Sequence, residues 1–127
     1  MLDIALVFVG GMIGSVLRYW WSGWVANRIG ETFPYGTLVV NLTGSFIVGL
    51  VAGYVTRFAG ADWAQPARQF FAVGICGGLT TFSSFSLQTF NLILDRNRIP
   101  ALLNIVVSTV GCLGLVALGW MVAGGNR

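Results

Sequence analysis

The residues best suited to chemistry lie in one short polar run inside a hydrophobic stretch. The run, residues 77–86, reads GGLTTFSSFS and contains five hydroxyl side chains and two adjacent glycines. So many helix-disfavouring residues predict an unwound segment, which membranes tolerate only where it is buried in protein or lines a cavity. Backbone carbonyls freed there, notably those of Gly77 and Thr80, could coordinate a cation. The same composition also suits a helix-packing face.

Two aromatic residues within the run are spaced for a shared face. Phe82 and Phe85 are three positions apart, and Thr81, Ser84 and Gln88 form a polar stripe beside them if the helix resumes there. The edge of an aromatic ring carries the positive part of its quadrupole. Ring edges beside hydroxyl groups could therefore receive an anion, although an aromatic pair at this spacing also occurs in ordinary packing.

Polar residues recur in two other apolar stretches. Asn41 follows Thr37 by one helical turn, and Asn104, Ser108 and Cys112 share one face further along the chain. The Asn41 amide offers two N–H donors to an anion, but a membrane asparagine also commonly bonds to a neighbouring helix. The residues alone leave both roles open.

The ionisable residues exclude several classes of chemistry. The chain has no histidine or lysine, its seven basic residues are all arginine, and its four acids lie near the ends of the apolar stretches. Histidine triads, histidine metal sites and Schiff-base lysines are therefore impossible, and we predict no enzyme activity. The arginines are scattered singly, which argues against a nucleic-acid partner. A proton-coupled exporter of the small multidrug resistance type would need a membrane-embedded glutamate, and none is present.

These residues must be positioned by membrane helices. Of 127 residues, 56% are hydrophobic and only 9% are charged, and the mean hydropathy is +0.81, which indicates a lipid environment. Crossing about 30 Å of hydrocarbon takes about 20 helical residues. We predict an all-α membrane protein, a single domain over residues 1–127, with its third helix broken at mid-membrane. The predicted spans are residues 4–25, 35–55, 68–94 and 100–122.

Arginine placement gives no clear orientation. With four spans, each side of the membrane has three arginines: Arg57, Arg68 and Arg127 on the terminal side, and Arg28, Arg96 and Arg98 on the other. Because basic residues set topology, this balance suggests insertion in both directions and an antiparallel homodimer, or it is chance in a small chain. Arg18, inside the first span, could extend to the interface or concentrate anions at a pore mouth.

The chain resembles the fluoride channels of the Fluc or CrcB type. The resemblance rests on three spaced motifs, GGxxGxxxRY at residues 10–19, GTLxVNxxGSF at residues 36–46 and GGxTTFSSF at residues 77–85. It implies an antiparallel, dual-topology homodimer in the cell inner membrane. Two pores would export fluoride passively from the cytoplasm, and a structural sodium ion would lie at the dimer interface. A small coupled transporter and a scaffolding membrane protein are the competing hypotheses.

The resemblance also implies roles for individual residues. Phe82 and Phe85 would be ring-edge fluoride ligands, and Asn41 would be an amide donor in the pore. The pore would also contain the hydroxyls of Thr37, Ser83, Ser84 and Ser108, and Arg18 would lie in the vestibule. The carbonyls of Gly77 and Thr80 from each subunit would hold the sodium ion. Cys112 stands where a further hydroxyl would continue the polar track.

Overall fold

The computed structural model describes residues 1–125, and the regular structure within them is helical. Arg127, which entered the arginine count above, lies outside the described residues. We number five helices in chain order: α1 (Leu2–Ile29), α2 (Tyr35–Arg57), α3 (residues 64–79), α4 (Phe82–Leu94) and α5 (Arg98–Val122). Helix α3 consists of Ala64–Ala67, a π-helical stretch Arg68–Cys76 and a final turn Gly77–Leu79.

Four helical segments are long and apolar enough to cross a membrane: Leu2–Ile29, Tyr35–Arg57, Ala64–Leu94 and Arg98–Val122. This confirms the predicted four-span, all-helical architecture. The helices run beyond the predicted spans at several ends, most clearly at Ala64 and Ile29. Hydropathy identifies the part of a helix that crosses hydrocarbon, whereas backbone hydrogen bonds continue into the interface.

Glycines bring the helix backbones into direct contact. Helix α2 packs most extensively against α5, and α1 packs against α3. A Cβ atom added to Gly14 would collide with the Ile75 carbonyl of α3, and one added to Gly49 would collide with the Val116 carbonyl of α5. Lipid gives no hydrophobic drive for helices to associate, so close backbone contact supplies the packing energy instead.

The third span is interrupted at two residues. Thr80 (φ −83°, ψ 154°) and Thr81 (φ −151°, ψ 118°) are extended, and α4 begins at Phe82. The predicted break is therefore present, and it is shorter than the polar run 77–86 from which it was inferred. Gly77 has helical angles (φ −62°, ψ −38°), and the resumed helix already contains Ser86.

Packing accounts for the second glycine, Gly78, within the helix. Gly78 faces the backbone of α1, where a Cβ atom would lie 2.5 Å from the Gly11 carbonyl oxygen. Its lack of a side chain thus allows helix contact rather than unwinding. The chain leaves the helix instead at two β-branched residues, Thr80 and Thr81, whose side chains suit extended backbone.

Candidate functional site

Asn41 of α2 bonds to both main-chain groups of Thr81 in the break. The Thr81 N–H donates to Asn41 Oδ1 at 2.7 Å, and Asn41 Nδ2 donates to the Thr81 carbonyl at 3.1 Å. In a continuous helix this N–H would donate to the carbonyl of Gly77. The structure therefore realises the interhelical role considered for Asn41, and it leaves the amide one further N–H.

Thr81 also caps the helix that follows the break. Its Oγ1 accepts a hydrogen bond from the Ser84 N–H at 3.2 Å and lies 3.1 Å from Ser83 Oγ. The Thr81 hydroxyl donates to Ser84 Oγ at 3.2 Å. Three hydroxyls thus converge at the N-terminus of α4, where the helix dipole favours negative charge.

The rings of Phe82 and Phe85 form a pair beside these hydroxyls. Their centroids are 5.4 Å apart and their planes are inclined by 47°, as expected for residues on one helix face. Phe82 is 78% exposed in the single chain, whereas Phe85 is half-buried. One ring of the pair is therefore presented outward from the chain.

An open cavity of about 290 Å³ borders the break, and we call it the break cavity. It is lined by Asn41, Gly44, Ser45, Val48, Thr80, Thr81, Phe82, Cys112 and Val116. It joins two predicted pore residues, Asn41 and Phe82, to Cys112, whose thiol is free. Amide, hydroxyl and aromatic groups thus share a space large enough for a small ion.

A larger cavity of about 600 Å³ lies among α1, the connection to α2, α2 itself and α4, and we call it the outer cavity. The predicted pore residue Thr37 lines it and is 7% exposed. Gln88 lines it as well, and its buried Oε1 has no hydrogen-bond partner within the described part of the chain. Thr37 and Asn41 are one turn apart on α2, so the two cavities lie along the same helix face.

Ser108 is held in a buried hydrogen-bonded chain between α5 and α4. Its hydroxyl donates to Asn104 Oδ1 at 3.3 Å, and Asn104 Nδ2 donates to Thr89 Oγ1 at 2.8 Å. The Thr89 hydroxyl donates in turn to the Phe85 carbonyl at 2.7 Å. The structure therefore connects Ser108 to the backbone of Phe85 and does not place it on the break cavity.

Arg18 extends toward the break, whereas Gly77 lies exposed on α3. Arg18 Nη1 lies 3.5 Å from the Thr80 carbonyl oxygen, at the limit of hydrogen bonding, so the side chain extends toward the break. Gly77 is exposed, and within residues 1–125 no heavy atom outside its own helix turn lies within 4 Å of a Cβ added there. A single chain leaves this part of α3 uncovered.

Comparison with known proteins identifies the family. A family model described as CrcB-like protein, Camphor Resistance (CrcB), matches residues 5–120, which include every site residue above. The chain belongs to the CrcB family. This confirms the resemblance drawn from the three glycine-containing motifs.

Curated relatives of this CrcB-family chain carry a common name. The fluoride-specific ion channel FluC 4 of Brucella abortus is 50% identical over 115 residues, which cover 91% of this chain and 86% of that protein. The fluoride-specific ion channel FluC of Rhodospirillum rubrum is 50% identical over 117 residues, which cover 89% of this chain and 88% of that protein. The fluoride-specific ion channel FluC of Pyrococcus furiosus is 42% identical over 121 residues, which cover 95% of this chain and 95% of that protein.

Three contributors to the site of this CrcB-family chain were not predicted from its sequence. Thr81 and Gln88 were placed only in a polar stripe, and Thr89 was not singled out. The capping role of Thr81 could have been inferred from its residue type just before the resumed helix, since threonine is a favoured N-cap. Thr89 follows Phe85 by one turn, a spacing at which a hydroxyl can bond back to the helix carbonyl.

Proposed function

We propose that this chain is a fluoride-selective ion channel that exports fluoride passively from the cytoplasm. The observation that carries the proposal is the break at Thr80 and Thr81, where an amide, several hydroxyls and an aromatic ring adjoin an open cavity. Fluoride is small and strongly hydrated, so a pore must replace its water with donors while binding it weakly enough for exit. The names of the curated relatives support the same ion.

We assign the ion contacts to groups around the break. The ring edges of Phe82 and Phe85 supply positive quadrupole, and the hydroxyls of Ser83 and Ser84 supply rotatable donors. The second N–H of Asn41 completes this set. None of these groups is charged, which suits rapid release of an anion. Chloride, being larger, fits such a narrow path poorly.

We assign roles to three further residues outside this set of contacts. Thr37 in the outer cavity offers a hydroxyl one turn before Asn41. Ser108 would have to turn its hydroxyl away from Asn104 to meet the ion, because its proton is donated there. The positive charge of Arg18, close to the break, raises the local anion concentration in the vestibule.

The functional unit that we propose is an antiparallel homodimer with two pores in the cell inner membrane. Exposure of Phe82 and Gly77 supports a second copy at this face, since a pore residue open to lipid would meet no water. The Gly77 carbonyl fits a sodium ion in one respect, because the Thr81 N–H bonds Asn41 and does not occupy it. The Thr80 carbonyl would have to exchange its 3.5 Å approach to Arg18 Nη1 for the ion. Carbonyl oxygens from both copies would supply a hard ligand set that suits this ion.

Purified protein in liposomes loaded with fluoride tests the proposal. We expect efflux down the fluoride gradient that persists when a protonophore abolishes any proton gradient. Efflux that requires the proton gradient would instead favour a coupled transporter. Absence of efflux under both conditions would contradict transport and leave a scaffolding role. Liposomes without protein provide the leak rate.

A further inference from the structure

The carboxamide of Asn41 is committed to the backbone before any ion arrives. Its oxygen accepts from the Thr81 N–H and its nitrogen donates to the Thr81 carbonyl. The acceptor and one of two donors are thus used by a residue 40 positions away in sequence. This two-point contact fixes the direction of the amide, because the oxygen can only accept and the nitrogen can only donate.

Helix α2 supports the break at a second point one turn later. A Cβ atom added to Gly44 would collide with the Thr80 Cγ2 methyl. Thr80 therefore packs directly onto the α2 backbone, while its own hydroxyl donates to the Cys76 carbonyl at 2.9 Å. Both extended residues are held by the same face of α2.

We infer that Asn41 is a positioning residue that holds the break open at Thr81 and so sets the N-terminus of α4. The inference rests on the proposed function and adds to it the source of the site's geometry. Thr81 caps α4 by accepting from the Ser84 N–H, and Phe82 directly follows Thr81. The position of Thr81 therefore determines where the ring and hydroxyl ligands lie. Without the amide, the Thr81 N–H and carbonyl lose the partners that hold them in the extended conformation.

The test measures amide hydrogen exchange at Thr81 in fluoride-free buffer, by NMR of protein labelled with ¹⁵N-threonine. Asn41→Leu removes both hydrogen bonds, and we expect exchange at Thr81 to accelerate by about tenfold or more, as for a buried group that loses its partner. The amides of Thr43 in α2 and Thr109 in α5 should keep their rates. Fluoride efflux by this variant should fall as well.

Two further variants separate positioning from general damage. Asn41→Asp keeps an acceptor for the Thr81 N–H, so its exchange rate should stay within about threefold of the wild type. Ser45→Ala, one turn later on α2, should leave Thr81 exchange within about twofold. Faster exchange at all threonines in Asn41→Leu, or equal acceleration in Asn41→Asp, would overturn the inference.

Amide exchange at Thr81 and fluoride efflux are separate measurements, so failure of the positioning role can be told apart from failure of the proposed function. Unchanged Thr81 exchange in Asn41→Leu with reduced efflux would make Asn41 an ion ligand alone and overturn the positioning role. Accelerated exchange with wild-type efflux would also overturn it, because the ligand geometry would not depend on the two Asn41–Thr81 hydrogen bonds. Absence of efflux by the wild type would instead contradict the proposed function.

Discussion

The outward ring of Phe82 makes it possible to separate ion conduction from folding. Its side chain is 78% exposed in the single subunit, so little of the packing within that subunit depends on it. The ring nevertheless borders the break cavity and pairs with Phe85 at 5.4 Å. A substitution here changes the proposed ion contacts more than the fold of the chain.

For Phe82→Ile we expect fluoride efflux to fall by at least about tenfold, which corresponds to about 1.4 kcal/mol of lost ion stabilisation. An aliphatic side chain has no positive ring edge to offer the ion. Phe90→Ile, at an exposed position of the same helix, should retain its efflux. Gel filtration should show both variants at the assembled size of the wild type. Wild-type efflux by Phe82→Ile would refute the ring-edge assignment.

Asn104 has a structural role that can be measured separately. It is 2% exposed and bonds to Thr89 and Ser108. Asn104→Ala should lower the free energy of unfolding by about 1–2 kcal/mol, because Thr89 and Ser108 lose a buried partner. Unfolding in mixed detergent micelles measures the change. Thr109 is exposed on the same helix, and Thr109→Ala should stay within about 0.5 kcal/mol of the wild type. Equal losses of unfolding free energy in the two variants would argue against the buried hydrogen-bonded chain.

Residue types were easier to predict than residue partners. The hydroxyl, amide and aromatic groups around residues 77–86 were visible as a motif, and the structure confirms that Phe82 and Phe85 pair. The Asn41–Thr81 contact spans 40 positions, and nothing local in the sequence specifies it. Ser108 lies on the predicted face, but its partner Thr89 belongs to another helix.

At the scale of helices, hydropathy predicted the four segments and hydroxyl density predicted the break. The extent of the break could not be predicted, because glycine serves both unwinding and close packing, and Gly78 serves packing against α1. The π-helical stretch Arg68–Cys76 was also not predicted. Its sequence contains no feature that distinguishes wider from ordinary helical turns.

Contact between α1 and α3 depends on glycine more than on helix propensity. Gly14→Ala places a Cβ atom against the Ile75 carbonyl and 2.9 Å from the Leu79 nitrogen, so the helices must separate. We expect a loss of about 1–3 kcal/mol in unfolding free energy. Gly23→Ala, also in α1 but with open space around it, should be neutral or stabilising by up to about 1 kcal/mol. If Gly23→Ala lost more unfolding free energy in detergent than Gly14→Ala, that result would contradict this packing.

At the scale of the whole molecule, the subunit leaves its proposed site uncovered. Gly77 and Phe82 face outward, and the balance of arginines gives no fixed direction of insertion. These two independent features support the proposed antiparallel dimer. Charge alone suggests the dimer from the sequence, whereas the exposed face is a property of the folded chain.

Cysteine labelling tests the direction of insertion. With Cys76 and Cys112 replaced, Gly60→Cys and Asn97→Cys report the loops at opposite ends of the helices. Dual topology predicts that a membrane-impermeant maleimide labels about half of the copies of each variant from outside the cell. A fixed orientation would label nearly all copies of one variant and almost none of the other.

Selectivity in one preparation of proteoliposomes is the decisive measurement. Vesicles loaded with both fluoride and chloride are diluted into a solution lacking both anions, with potassium and valinomycin to balance charge, and two ion-selective electrodes follow efflux. We expect rapid loss of fluoride while chloride leaves at the rate of protein-free vesicles, because only the smaller anion fits the donors around the break. Equal release of both anions, or retention of fluoride, would contradict a fluoride-selective channel.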